Sequence, residues 1–211
     1  MCIIITIMKT IGFFGDSFCA DTTESSWCNI FSNKIGCGDP VCHGSKGESI
    51  WGTFFKFNKR IKQDEVPDIS VFCWTEPYRL YHPRMILTAN VIPSKDEDPN
   101  VYKTLDNYWK YLHNYDKDEL AYEYSLKHYD QNVLSKVNKK VIQLWSFRPF
   151  ETAKKDANIQ LQTGLFVDES LYRTAMDKDK SEHKFINHMS QEYNKTLANR
   201  LVDISREYLR K

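Results

Sequence analysis

Three short runs are apolar almost from end to end, and they constrain the fold more than any other feature. Lys9–Phe14 (KTIGFF), Asp68–Trp74 (DISVFCW) and Lys140–Phe147 (KVIQLWSF) carry apolar residues at consecutive positions rather than at every second one. A strand with one wet face alternates; a strand covered on both faces does not. Residues 9 to 15, 68 to 74 and 140 to 147 are therefore expected as neighbouring parallel strands of one sheet with helices on both faces.

Between these runs the period changes. Ser25–Ile35 has apolar residues at Trp27, Ile30, Phe31 and Ile35, a helical spacing that Gly36 terminates. Glu48–Ile61 repeats the pattern through Ile50, Trp51, Phe54, Phe55, Phe57 and Ile61, with Trp51 expected in the core. Aromatic helices are expected near residues 101–114 and 117–138. A last helix runs over Ser190–Leu209, with Leu197, Ala198, Leu201, Ile204 and Tyr208 on one face, Ser190 as its cap and Glu192 in its first turn. Four prolines and the charged run Lys95–Asp98 mark a loop-rich insertion around residues 76–100. Residues 148–187 read as irregular, with Asp177–Lys180 a solvated charge cluster. Strands alternating with helices give an α/β fold, a three-layer α/β/α sandwich around a central parallel sheet. The 211 residues fit one domain, 1–211.

Charge excludes some partners. Lys and Arg total 29 against 28 Asp and Glu, which gives no electrostatic reason to expect nucleic acid. No apolar run reaches the roughly 18 residues that span a bilayer. Met1–Ile7 is apolar but lacks a basic flank and a small-residue cleavage site, so it reads as an extension of the first strand rather than a signal peptide. A cytoplasmic location with reduced thiols is expected for the six cysteines, at positions 2, 19, 28, 37, 42 and 73. Cys37, Cys42 and His43 lie close in sequence, but no second Cys or His pair follows at zinc-finger spacing, and no metal is expected. Gly12-x-x-Gly15 lacks the third glycine of a dinucleotide loop, and no P-loop Lys follows, so no nucleotide cofactor is expected either.

The chemistry centres on Gly15-Asp16-Ser17, where the first strand runs into a turn. In an open parallel sheet, ligands bind beyond the carboxyl ends of the strands. A serine there has an exposed hydroxyl, with backbone N–H groups nearby to hold an oxyanion. At the other end of the sequence, His188 stands just before the last helix in Asn187-His188-Met189-Ser190, followed by Asn194, Leu197-Ala198 and Leu201. With these two blocks the chain resembles the GDSL, or SGNH, hydrolase superfamily, whose nucleophile is the Ser of an N-terminal Gly-Asp-Ser and whose base is a His before the C-terminal helix.

The resemblance implies a flavodoxin-like SGNH hydrolase fold and a serine esterase without cofactor. Its substrate would be a small-molecule or glycan ester, or a lipid. Ser17 matches the nucleophile and His188 the base. Gly47, in Ser45-Lys46-Gly47-Glu48-Ser49, matches the oxyanion-hole glycine after the second strand, beside the Ser17 N–H. The family's Asn after the third strand is absent: the text there is Cys73-Trp74-Thr75-Glu76, so Thr75 is the candidate third donor. The family's Asp three residues before the His is Phe185 here. Glu182 is the favoured replacement, with Asp177, Asp179 or a backbone carbonyl as alternatives and His183 as a competing base. Asp16, Tyr78 and Tyr81 are expected to contact substrate. His43 and His82 lie on loops near the cleft, whereas His113 and His128 read as surface residues. A non-catalytic glycan- or protein-binding module and an acyltransferase are the alternative functions.

Overall fold

The computed structural model describes residues 9–82, 98–147, 159–171 and 188–211. Five strands form one sheet: β1 (Ile11–Gly15), β2 (Val41–Cys42), β3 (Ile69–Trp74), β4 (Lys140–Trp145) and β5 (Leu165–Ser170). Their order is β2-β1-β3-β4-β5, and every pairing is parallel. The three apolar runs are thus the three central strands. In this doubly wound order the chain departs from β1 in both directions, and the switch point beyond the carboxyl ends of β1 and β3 is where such sheets bind ligands.

Helices α1 (Trp27–Lys34), α2 (Ile50–Lys62), α3 (Pro99–Asn107), α4 (Tyr115–Asn132) and α5 (Gln191–Arg210) complete the regular structure described. Successive strand residues point to opposite faces, and each face has its own cover. Ile11, Phe13, Val71, Cys73, Ile142 and Leu144 pack with Trp27 and Phe31 of α1 and Leu197, Ala198 and Leu201 of α5. Phe14, Phe72, Trp74, Val141 and Trp145 pack with Ile50, Phe54 and Phe57 of α2 and Tyr122, Leu126 and Tyr129 of α4. Three α/β/α layers result, which is why the central strands need no polar face. Each helix start is capped by the residue before it: Ser26, Ser49, Asp98, Asn114 and Ser190 all accept a backbone N–H.

One buried polar network ties the two ends of the sheet's α4 side. At the end of α4, Asp130 accepts from Gln143 Nε2 (2.7 Å), Gln162 N (2.8 Å) and Thr163 N (3.2 Å). Gln143 Oε1 in turn accepts from Trp74 Nε1 at 2.9 Å. The carboxylate thereby anchors the approach to β5.

The structure departs from the sequence expectations in places. Residues 165–170, expected as irregular, form edge strand β5; only Leu165–Val167 are apolar, and the pairing slips between Leu144 and Trp145. The two-residue strand β2 is too short to leave a periodic signal. The helix expected to reach residue 114 ends in a π turn at Tyr108–Leu112, and α4 stops at Asn132 before a 3-10 turn, Leu134–Lys136. Within the loop-rich insertion, Asp98 already caps α3, while residues 83–97 lie outside the described residues, as do Met1–Ile7 and Asp177–Lys180. Among the described residues no helix is long and apolar enough to cross a membrane.

Candidate active site

The site begins where β1 ends. A Cβ on Gly15 would lie 2.3 Å from the Cys73 carbonyl oxygen, so only glycine lets β1 stay paired with β3 at the point where the chain turns away. Asp16 follows and caps a 3-10 turn, Ser17–Cys19, by accepting from Phe18 N at 3.0 Å. Ser17, the first residue of that turn, is half-buried.

His188 meets Ser17 across 171 residues of sequence, with Nε2 2.7 Å from the Ser17 Oγ. For Ser17 to donate, Nε2 must be the unprotonated nitrogen and the ring proton must sit on Nδ1. The imidazole is positioned from below and behind. Its backbone is left-handed (φ 63°), Met189 beside it is fully buried, Ser190 starts α5, and the Phe18 ring packs on it at 5.0 Å. Burial lowers the proton affinity of His188; Asp16 pulls it up, and Arg79 and Lys46 push it further down. A depressed affinity keeps the ring neutral near pH 7, the form that accepts a proton.

Asn194 holds this corner together. Its Oδ1 accepts from Trp27 N (2.8 Å), the first N–H of α1, and its Nδ2 donates to the carbonyls of Met189 (3.1 Å) and Ser190 (3.0 Å).

No family model and no curated protein matches the sequence. Solved structures similar to it include the following two. The psychrotrophic esterase EstA from Pseudoalteromonas sp., in a form inhibited by monoethylphosphonate, shares 13% identity at a TM-score of 0.48, covering 96% of this chain and all of its own. A protein of the G-D-S-L family from Desulfitobacterium hafniense DCB-2 shares 13% identity at a TM-score of 0.37, covering 93% of this chain and 99% of its own. In its motifs and in the Ser17–His188 pair the chain resembles the GDSL/SGNH hydrolases.

The other expected site residues fare unequally. Gly47 lies in a turn closed by Glu48 N to Ser45 O (3.2 Å), between β2 and α2. Lys56 pins that segment, donating to His43 O (3.0 Å), to Ser45 Oγ (2.6 Å) and to the Glu48 carboxylate. Gly44, which the sequence reading passed over, is packed against the Asp16–Cys19 turn: a Cβ there would lie 2.7 Å from Asp16 O. Its N–H, however, donates to Cys42 Sγ at 3.3 Å. Thr75 follows β3 and is buried; its carbonyl accepts from Tyr122 OH (2.6 Å), and its hydroxyl has no partner among the described residues. Glu182, Asp177, Asp179 and His183 lie outside the described residues.

Asp16 is a correction. Expected as a substrate contact, it is fully buried, its Oδ1 also accepting from Ser146 Oγ (2.7 Å) and its Oδ2 facing Arg79 Nη1 (3.2 Å). Both of its carboxylate oxygens are engaged inside the protein. Tyr78 donates its hydroxyl to the Glu119 carboxylate and holds its proton well above the usual tyrosine range, first through burial. Tyr81 is exposed, packs on Phe55 at 4.9 Å, and lines a cavity of about 180 Å³ with Ile50, Trp51, Arg79 and Leu80. Trp51, expected in the core, is 46% exposed at this cavity.

The remaining histidines and cysteines sort simply. His128 is exposed as expected, but the His113 side chain is buried, 3.0 Å from Asp118 and packed among Trp109, Tyr115, Tyr78 and Tyr108. His43 stacks on Phe14 at 4.6 Å, and its pKa falls to about 4 through burial and then Arg60 and Lys56. Among the described residues no disulfide forms, and no group of His, Cys, Asp and Glu is placed to hold a metal. Burial pushes the Cys42 thiol up to about 12 and raises Cys19, Cys28 and Cys73 as well, so these sulfurs stay protonated.

Proposed function

We propose that the chain is a serine acyl hydrolase of the SGNH type, acting on an ester of a small molecule, glycan or lipid. One observation carries the reading: the Ser17 hydroxyl lies 2.7 Å from the neutral-leaning His188 ring, at the carboxyl end of β1 where such sheets bind ligands. Ser17 Oγ attacks the ester carbonyl carbon as its proton passes to His188 Nε2. The tetrahedral oxyanion collapses, and the leaving alcohol takes that proton. Water then gives a proton to the same nitrogen, attacks the acyl-enzyme and releases the acid, restoring Ser17. The oxyanion donors in this scheme are the N–H groups of Ser17 and Gly47, with the unpartnered Thr75 hydroxyl in the place of the family's Asn. Glu182 orients His188 in the same scheme. No cofactor takes part.

A fluorophosphonate probe tests the scheme directly. It should label wild type at Ser17 and leave Ser17→Ala unlabelled, and turnover of p-nitrophenyl acetate should fall to background in the same variant. Equal turnover in wild type and Ser17→Ala would sink the reading. The absent Asn after β3 favours, as a second reading, a module that binds a glycan or protein without chemistry; a wild type inert to probe and to every ester would select it. Transfer of the acyl group to an alcohol instead of water uses the same pair and is separated by product analysis.

A further inference from the structure

The Arg79 side chain is 7% exposed, and nothing in the hydrolase scheme above uses it. Its Nη1 donates to Asp16 Oδ2 (3.2 Å) and to the Glu48 carbonyl (3.4 Å), and its Nε donates to Glu76 Oε1 (3.1 Å). Its guanidinium lies 4.8 Å from the centre of the Phe147 ring, beyond the end of β4. One side chain thus ties together the chain ends leaving β1, β3 and β4 and the start of α2. Both routes from it lead to the Ser17–His188 pair. Through Asp16 it reaches the cap of the turn that begins at Ser17; through Phe147 it reaches Phe18 (5.4 Å), whose ring packs on His188.

We propose that Arg79 is a positioning residue of the serine site: by gripping the Asp16 carboxylate it fixes the turn that presents Ser17 to His188. This rests on the hydrolase reading. A buried ion pair is a poor source of net stability, since desolvation consumes most of its attraction, and an apolar pair would fill the space as well. What a charged fork adds is direction. Asp16 has two oxygens and uses both, one for Ser146 and the turn, the other for Arg79, so its carboxylate cannot rotate. The segment after β3 is also where the family's Asn is missing, and Arg79 comes four residues beyond Thr75 on that same segment.

Arg79 acts on the base as well. Among the described residues, the charged groups bearing on His188 are Asp16 from the end of β1, Arg79 from the segment after β3 and Lys46 from the segment after β2. Asp16 favours the imidazolium, and Arg79 opposes it. Without the guanidinium, Lys46 alone of these groups opposes the Asp16 charge, and His188 takes up its proton at higher pH.

The test measures labelling by the fluorophosphonate probe and the pH profile of p-nitrophenyl acetate turnover, in wild type, Arg79→Met and Arg79→Lys, with thermal melting as the check on folding. Arg79→Met should cut the labelling rate and kcat by about 100-fold, the scale of a displaced catalytic group, with KM within about threefold. Its acid limb should move to higher pH. Arg79→Lys keeps the charge but not the fork: its limb should stay near wild type while its rate recovers only in part. A side chain that merely supports the fold would leave the limb in place in both variants. If Arg79→Met does not fold, the double variant Asp16→Asn/Arg79→Gln replaces it, and slow labelling is again expected. Labelled wild type with an equally fast, unshifted Arg79→Met, or an equally fast double variant, overturns the role of Arg79 alone. An unlabelled wild type overturns the hydrolase reading and this role with it.

Discussion

Replacing Asn194 by Ala should separate α1 from α5 close to His188, the base of the proposed scheme. The side chain is fully buried and makes at least three hydrogen bonds, one from the Trp27 N–H and two to the carbonyls of Met189 and Ser190. Alanine leaves the Trp27 N–H buried with no acceptor, a loss of about 1–3 kcal/mol. The two carbonyls are cheaper to abandon, because Ser190 O also accepts from the Asn194 N–H at 3.0 Å, a bond that survives the change. With a small void added, the total comes to about 2–4 kcal/mol. For a chain of this length each kcal/mol moves the melting temperature by about 2–4 °C, so a fall of about 4–16 °C is expected by circular dichroism. Well below that midpoint, kcat on p-nitrophenyl acetate should still be reduced, since Met189 and the left-handed His188 lose their tether. Asn194→Asp should do no better: it keeps an acceptor for Trp27 but turns a carboxylate oxygen toward two carbonyls. A melting temperature within about 2 °C of wild type for Asn194→Ala would refute the reasoning.

Asp130→Ala strips three donors of a buried carboxylate and should cost about 3–5 kcal/mol, measured by urea unfolding; a cost under about 1 kcal/mol would show that water replaces it freely. The kcat/KM profile should lose activity below pH 6.5 rather than at it, because burial depresses the His188 affinity and only the neutral ring accepts the Ser17 proton; an acid limb above that value contradicts the geometry. His43 is neutral when folded down to about 4 against 6.5 unfolded, so the unfolded chain binds the extra proton and stability falls as pH drops across that window. The slope of melting temperature against pH between those values should flatten in His43→Gln. Gly15→Ala should yield little folded protein on expression and size-exclusion chromatography, since its Cβ would strike the Cys73 carbonyl.

The sheet was legible because its centre is written in consecutive apolar residues, which only burial on both faces permits. The edges were not. β5 spends half its length on Asp168, Glu169 and Ser170, and β2 offers only Val41 and Cys42. Ser17 and His188 were legible from short motifs at either end of the chain, and the fold brings them within a hydrogen bond. Some buried polar residues were misread or missed. Asp16 beside Ser17 looks like a substrate contact and Arg79 belongs to no motif; the partners that bury them, Ser146 and each other, are distant in sequence and leave no local trace. His113 in a polar stretch looks exposed, but the rings of Trp109, Tyr115 and Tyr78 close over it.

The separation of 171 positions between Ser17 and His188 has a consequence for the chain during its synthesis. Domains take shape from their N-terminal side as the ribosome releases them. The Ser17 turn emerges before β4, whose end supplies Ser146 to Asp16 well over a hundred residues later, and before His188. In the proposed scheme a nascent chain that has not yet released His188 therefore carries a serine without its base. Reactivity then awaits the docking of α5, so a pulse of serine-directed probe would count the chains in which that docking has occurred.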